Sequence, residues 1–249
     1  MRLRLRTTCY GRSLDLRERT LSTNDDARNA ADAGAARGHV VVADEQTQGR
    51  GSRGRHWLSP PGKDLYLSIV ERLDQPTALL PPLTLAVGLG VAQAVERLVG
   101  PNHRGRLKWP NDVWIGERKC AGVLVETAST GPDHGPIIIG IGLNVNRRDF
   151  PPELARGATS LAMVRGDEVE RALALATVLE QVERTVERFM SEGPAAVAAL
   201  VNERLAWRGE LVRCEGIEGT LIGVAPSGAL RLCAKGIETQ IVSGAPCRP

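Results

Sequence analysis

Residues 45–59 read Glu-Gln-Thr-Gln-Gly-Arg-Gly-Ser-Arg-Gly-Arg-His-Trp-Leu-Ser, and three glycines and three arginines crowd into positions 49–55. Glycine lacks a Cβ, so the chain can bend its backbone N–H groups around an anion; arginine forks add paired, charge-assisted donors. Gln46 before the loop adds a planar amide, and Trp57 after it adds a stacking surface, the combination an anionic heterocycle would use. The loop is neither a Walker A sequence nor a dinucleotide fingerprint, because no helix is expected after its last glycine. By itself such a loop is more often a solvated surface or a nucleic-acid contact than an anion cradle, and it is the flanking Gln46 and Trp57 that favour the cradle.

A second cluster is Lys108-Trp109-Pro110-Asn111-Asp112-Val113, followed by Arg118-Lys119-Cys120-Ala121-Gly122-Val123-Leu124-Val125-Glu126. Only four of the 32 basic residues are lysines, and two of them, Lys108 and Lys119, fall here. Cys120 beside Lys119 suggests a thioester nucleophile, but its apolar strand and the lack of a paired histidine argue against one. Trp57 and Trp109 read equally as core aromatics or as packing beside an adenine.

The elements that must position these groups follow from hydrophobic periodicity. Strands are expected at 14–21, 40–43, 65–70, 107–109, 113–115, 120–126 and 137–145, with a hairpin turn at Gly116-Glu117. A helix begins after Ser22, where a hydroxyl cap precedes an acid by three positions, and runs to about Ala36. A long amphipathic helix spans 81–99 behind two prolines and covers one sheet face; two more run at 167–190 and 195–207. Four short segments with glycine turns between 209 and 249 predict a small antiparallel β-barrel. The fold class is thus α/β, a catalytic body over 1–207 and a barrel domain over 208–249.

Composition narrows the function. With 249 residues and 42% hydrophobic content the chain buries a large core, and a net charge of +3 is too small for a uniformly basic nucleic-acid-binding surface. Its five cysteines show no metal-ligand or C-x-x-C spacing, which fits reduced thiols and a cytoplasmic location. Met1 to Arg6 is charged, with no apolar stretch and cleavage site behind it, so no secretory signal is expected. No run is expected to reach the roughly 18 apolar residues of a membrane span.

Five segments, Ser22-Thr23-Asn24, Gly49-Arg50-Gly51 through Trp57, Lys108 to Asp112, Lys119 to Glu126 and Gly140-Ile141-Gly142-Leu143-Asn144-Val145, stand in the order found in biotin protein ligases. The resemblance covers roughly 14–249. It implies a mixed sheet flanked by helices, related to class II aminoacyl-tRNA synthetases, with an SH3-like C-terminal barrel. It also implies activation of biotin by ATP to biotinoyl-5′-AMP with Mg²⁺ assisting, then transfer to a lysine of a biotin carboxyl carrier domain.

By that resemblance Lys119 and Arg50 are the catalytic residues. Ser22, Thr23, Asn24, Gln46, Arg50, Gly51, Ser52, Lys119 and Gly122 bind biotin, whose uncharged ureido ring suits neutral donors and acceptors. Arg53, Arg55, Trp57, Asn111 and Asn144 bind the nucleotide, Asp112 is a candidate metal ligand, and the remaining metal ligands stay unassigned. The chemistry agrees: a carboxylate and a phosphate ~4 Å apart repel by about 4 kcal/mol at an effective dielectric near 20, and a shared lysine removes that obstacle. Ser52 departs from the family, standing where many members have arginine.

Two rivals remain. A lipoate or octanoate ligase on the same scaffold needs a long acyl tunnel instead of a ureido pocket; a nucleic-acid-binding module would use the Arg/Gly loop. Only 21 residues precede Ser22, too few for the helix-turn-helix domain of ligases that also repress, so DNA binding is not expected. Members of the family occur as monomers and dimers, which leaves a homodimer open.

Overall fold

A computed structural model describes residues 5–72, 79–128 and 135–249. Met1 to Arg4, on which the reading of a missing secretory signal partly rests, lie outside the described residues. Seven strands, β1 (Leu14–Thr20), β2 (Val40–Gln46), β3 (Leu65–Glu71), β4 (Gly105–Lys108), β5 (Asp112–Ile115), β6 (Arg118–Thr127) and β7 (Ile137–Leu143), form one sheet in the order β1-β2-β3-β7-β6-β5-β4. Only β1 and β2 run parallel; the remaining neighbours are antiparallel, and the β5–β6 turn falls at Gly116-Glu117 as expected.

The sheet separates a core face from a site face, and β7 shows how. Side chains alternate along a strand. Ile137, Ile139, Ile141 and Leu143 therefore enter the main core, while Ile138, Gly140 and Gly142 face the other way. Helix α1 (Thr23–Asp32) covers part of that second face, packing Ala27 and Ala31 on Val41, Val70 and Ile138. It ends four residues earlier than expected. Gly140 lies against Asn24 in the first turn of α1, and Gly142 lies on the same face under Trp57.

Helix α2 (Leu80–Val99) lies under the core face against α5 (Arg171–Glu192) and α6 (Pro194–Arg204). It is buried nearly all round, not amphipathic: a Cβ at Gly90 would come within 2.8 Å of α5 backbone, so glycine is what lets the two helices approach. By length and composition alone this run could cross a membrane, which corrects the expectation above. Because 78% of its most apolar window is buried inside the fold, it sits as a core helix.

Two short helices, α3 (Pro152–Ala155) and α4 (Leu161–Arg165), occupy what reads in sequence as a proline-rich link. Helix α6 stops at Arg204, three residues short of expectation, and Trp207 adopts a left-handed backbone (φ 61°). The tail forms the expected four strands, β8 (Leu211–Cys214), β9 (Ile217–Val224), β10 (Leu230–Ala234) and β11 (Ile237–Ile241), in a second antiparallel sheet. Trp109 joins the two sheets: its indole is buried and Nε1 donates to the Gly228 carbonyl at 2.8 Å, which places it in the core.

The segment before β1 is pinned by a single carboxylate. Glu183 of α5 accepts the backbone N–H groups of Thr8 (2.6 Å), Cys9 (2.6 Å) and Tyr10 (2.8 Å). Burial alone would raise its pKa, but the three donors outweigh burial and hold it below the ordinary glutamate value. A depressed folded-state pKa gives stability that is present above the unfolded pKa and lost as pH falls through the folded one. Glu183→Gln should therefore cost about 1–3 kcal/mol at neutral pH. In urea melts its deficit against the parent protein should shrink toward zero under acid conditions; a pH-independent deficit would contradict this role.

Candidate active site

A cavity of about 240 Å³ opens on the site face, walled by the Arg/Gly loop, the start of α1, and β6 and β7. Its floor is a patch of backbone. Gly122 and Gly142 are register partners, Gly140 pairs with Leu124, and a Cβ at Gly142 would collide with the Trp57 indole. Trp57 can rest on the sheet here only because Gly122 and Gly142 lack side chains, while Gly140 leaves the same room for Asn24.

One end of the cavity is neutral and tightly hydrogen-bonded. Gln46 Oε1 accepts from Thr23 N (2.9 Å) and Thr23 Oγ1 (3.1 Å), while its Nε2 donates to Ser59 Oγ (3.0 Å). Asn24 donates from Nδ2 to Glu126 (2.8 Å), and Ser68 Oγ lies 2.6 Å from Asn24 Oδ1 and 2.8 Å from Thr23 Oγ1. Ser22 occupies the N-cap position, as expected, but its side chain makes no cap bond. Gln46 takes the Thr23 N–H instead, and the buried Ser22 side chain lines the cavity.

The middle is charged. Lys119 Nζ stands 2.6 Å from Asp112 Oδ1 and 5.1 Å from the centre of the Trp57 ring. Arg50 reaches back to α1, its Nη1 2.6 Å from Asp25 and its Nη2 3.2 Å from Glu126. Asn111 donates from Nδ2 to the Val123 carbonyl (2.7 Å), and its buried Oδ1 has no partner among the described residues. Asn144 is anchored by Nδ2 to the Thr159 carbonyl (2.9 Å).

The loop is held from below by a buried ion pair. Arg147 Nη2 lies 2.5 Å from Asp64 Oδ2 and donates to the Leu58 carbonyl at 2.8 Å. Arg55 folds back on its own loop, donating to Ser52 O (3.2 Å) and Ser52 Oγ (3.1 Å). Cys120 points into the core, where burial pushes its thiol up to about 12, so it is no nucleophile at neutral pH.

Ser22, Thr23, Asn24, Gln46, Arg50, Gly51, Ser52, Arg55, Trp57, Asn111, Asp112, Lys119, Gly122 and Asn144 all line this one cavity. Arg53 does not. It is exposed, with a left-handed backbone (φ 61°), and lies within electrostatic reach of Cys214 in the second sheet. Sequence reasoning passed over His56, Leu58, Arg147, Phe150 and Leu154 in the lining, and over Ser68 behind it. Gly140 and Gly142 belong to the quoted motif, but no role was given to them; their two-residue spacing amid isoleucines is the signal that marks a bare strip on one strand face.

The chain that builds this cavity is similar to known proteins in sequence and in fold. The Biotin/lipoate A/B protein ligase family profile matches residues 16–144. The chain belongs to this family. It is 34% identical over 227 residues to the bifunctional ligase/repressor BirA of Bacillus subtilis, covering 90% of this chain and 69% of that one. Similarity to the biotin--[acetyl-CoA-carboxylase] ligase of Mycobacterium tuberculosis is 34% over 218 residues, covering 86% and 79%. Among solved structures, biotin protein ligase from Aquifex aeolicus in complex with biotin and ATP superposes with a TM-score of 0.82 at 30% identity, over 95% of this chain and 98% of that one.

Proposed function

We infer that this enzyme is a biotin protein ligase, which activates biotin with ATP to biotinoyl-5′-AMP and transfers the biotinoyl group to a lysine of a biotin carboxyl carrier domain. The observation that carries the reading is the junction of two environments in one cavity: the Thr23–Gln46–Ser68–Asn24 hydrogen-bond network at one end and the Lys119–Asp112 pair beside it. Fixed neutral donors and acceptors suit a ureido ring; the lysine suits a carboxylate meeting a phosphate. A lipoate ligase would have no use for that network.

In this reading the biotin carboxylate attacks the α-phosphorus of ATP, and pyrophosphate leaves. Lys119 sets one positive charge between the two anions, which weakens their repulsion and stabilises the charge that develops between them. Ser22, Thr23, Asn24 and Gln46 orient the ring, and Arg50, tied to Asp25 and Glu126, fixes the loop of Gly51 and Ser52 over the acyl phosphate. The closed loop excludes water from a hydrolysable mixed anhydride. Arg55, Trp57, Asn111 and Asn144 belong to the nucleotide. Arg53 enters that set only if the loop turns it inward.

Mg²⁺ is part of the proposal. Asn111 Oδ1, buried without a partner among the described residues, and the adjacent Asp112 carboxylate are hard oxygen donors, and Mg²⁺ commonly takes few protein ligands and completes its shell from phosphates and water. When bound it would neutralise phosphate charge. The free state of all five cysteines supports a reducing, cytoplasmic setting, and the low net charge supports a protein that does not act on DNA. We assign 1–207 to catalysis and 208–249 to a separate small domain.

The test is biotin-dependent exchange of labelled pyrophosphate into ATP. Exchange that needs biotin supports the reading; exchange with lipoate or octanoate in its place would overturn it. Ser52 adds a specific expectation: with a serine where, by the resemblance, many members of the family have arginine, the intermediate should dissociate faster. Ser52→Arg should slow biotinoyl-AMP release by about tenfold, the scale of one charge-assisted contact. Equal off-rates in stopped-flow chase experiments would count against it.

A further inference from the structure

Among the described residues, Lys108 is a cation close to the cavity that the mechanism above leaves idle. It continues the floor. Gly142 pairs with Gly122, Gly122 with Asp112, and Asp112 with Lys108, so the four form one cross-strand row on one face of the sheet. Neighbouring strands lie about 4.8 Å apart, which puts Lys108 one strand beyond the Lys119–Asp112 pair, on the side opposite the neutral end.

Its ammonium is held by aromatic faces, 5.2 Å from the centre of the Trp114 ring and 4.9 Å from that of Trp207. The two indoles meet edge to face at 5.2 Å. Trp207 is fixed in turn: Nε1 donates to Glu117 at 3.1 Å, and the Arg248 guanidinium lies 5.1 Å from its ring centre while bonded to Glu210 (2.8 Å) and Glu117 (3.1 Å). The C-terminal segment thus braces a lysine of the catalytic sheet.

Among the described residues that lysine has no acid of its own. Asp112 Oδ1 is taken by Lys119 at 2.6 Å, and among the described residues no carboxylate oxygen stands within 4.0 Å of the Lys108 ammonium. Burial lowers its pKa; Asp112 opposes this, while the like charges of Lys119 and Arg55 add to it. Lys119 and Arg55 line the cavity, Lys108 stands one strand beyond that lining, and a multiply charged anion placed between them relieves the repulsion among the three like charges.

We propose that Lys108 binds the leaving pyrophosphate, and that Trp207 and Arg248 are positioning residues that hold its ammonium in place. This rests on the ligase reading above. When a biotin carboxylate oxygen bonds to the α-phosphorus, the bond from that phosphorus to the bridging oxygen breaks, and the electron pair leaves with pyrophosphate. The new negative charge emerges away from the neutral end, along the row that leads to Lys108.

Pyrophosphate exchange kinetics test it in Lys108→Met, Lys108→Arg and Arg248→Ala. Lys108→Met should raise the KM for inorganic pyrophosphate about tenfold or more, the scale of one charge-assisted contact, with the calorimetric Kd for biotin within about twofold. Lys108→Arg should recover most of that loss, and Arg248→Ala should show a smaller rise, about threefold. Should Lys108→Met fail to fold, the Arg248→Ala and Lys108→Arg arms still decide. A pyrophosphate KM unchanged in Lys108→Met, or in Arg248→Ala if that arm must stand alone, overturns the proposal, as does a biotin Kd that moves in parallel. Parent enzyme lacking biotin-dependent exchange overturns the ligase reading itself, and this proposal with it.

Discussion

Lys119→Ala should lower biotin-dependent pyrophosphate exchange by about 10²–10³, the usual effect of removing one preorganised charge-stabilising group from an active site. Two features of the fold predict that the protein survives the change. Lys119 is held in β6 by its backbone, whose N–H donates to Gly157 (2.8 Å) and whose carbonyl accepts from Thr159 (2.9 Å). Its half-buried side chain contributes little core surface. The loss should therefore appear in kcat with the melting curve nearly unchanged. Lys119→Arg should rescue poorly, because a planar fork cannot replace a compact point charge between two reacting groups. Near-normal exchange in the folded alanine variant would remove Lys119 from the mechanism.

Gly140→Ala should weaken biotin binding by about 30-fold or more, equivalent to ~2 kcal/mol, and it tests the other end of the cavity. A methyl at 140 would collide with Asn24 Oδ1 and come within 3.0 Å of its Cγ and Nδ2. Asn24 cannot yield, since Ser68 (2.6 Å) and Glu126 (2.8 Å) grip its two amide ends. The backbone of Gly140 requires no special φ, so the cost is steric and falls on the ligand site. Calorimetry with biotin measures it directly. Unchanged affinity would mean that Asn24 is not part of the biotin site.

These two substitutions differ in how visible their targets are in sequence. Lys119 is legible because lysine is rare here and the motif around it is ordered with four others. The Arg/Gly loop is legible because Gln46 and Trp57 flank it and because it stands in order with the other four segments. The Gly140-Ile141-Gly142 alternation carries the signal for a bare floor, but its use depends on which side chains come to rest on it: Trp57 arrives from a loop and Asn24 from the first turn of α1, both over 80 residues away in sequence.

Ser68 illustrates what stays hidden. It sits in an unbroken apolar strand, where a lone serine reads as a tolerated small residue; only the pairing of β3 with β2 and β7, and the seating of α1 above, reveal that it binds Thr23 and Asn24. The Asp64–Arg147 pair that supports Leu58 is hidden for the same reason, its partners lying 83 positions apart. Helix ends are limited by tertiary packing: α6 stops at Arg204 so that Trp207 can turn onto Trp114, an override that periodicity does not carry.

The central claim is that one cavity makes an acyl-adenylate from a vitamin and a nucleotide. Its most direct test is to incubate the purified enzyme with biotin and ATP, with no acceptor protein, then quench and assay the protein-bound fraction by mass spectrometry. The account predicts biotinoyl-5′-AMP on the enzyme, formed only when both substrates are present. Bound biotin and intact ATP, with no adenylate after many minutes, would contradict it.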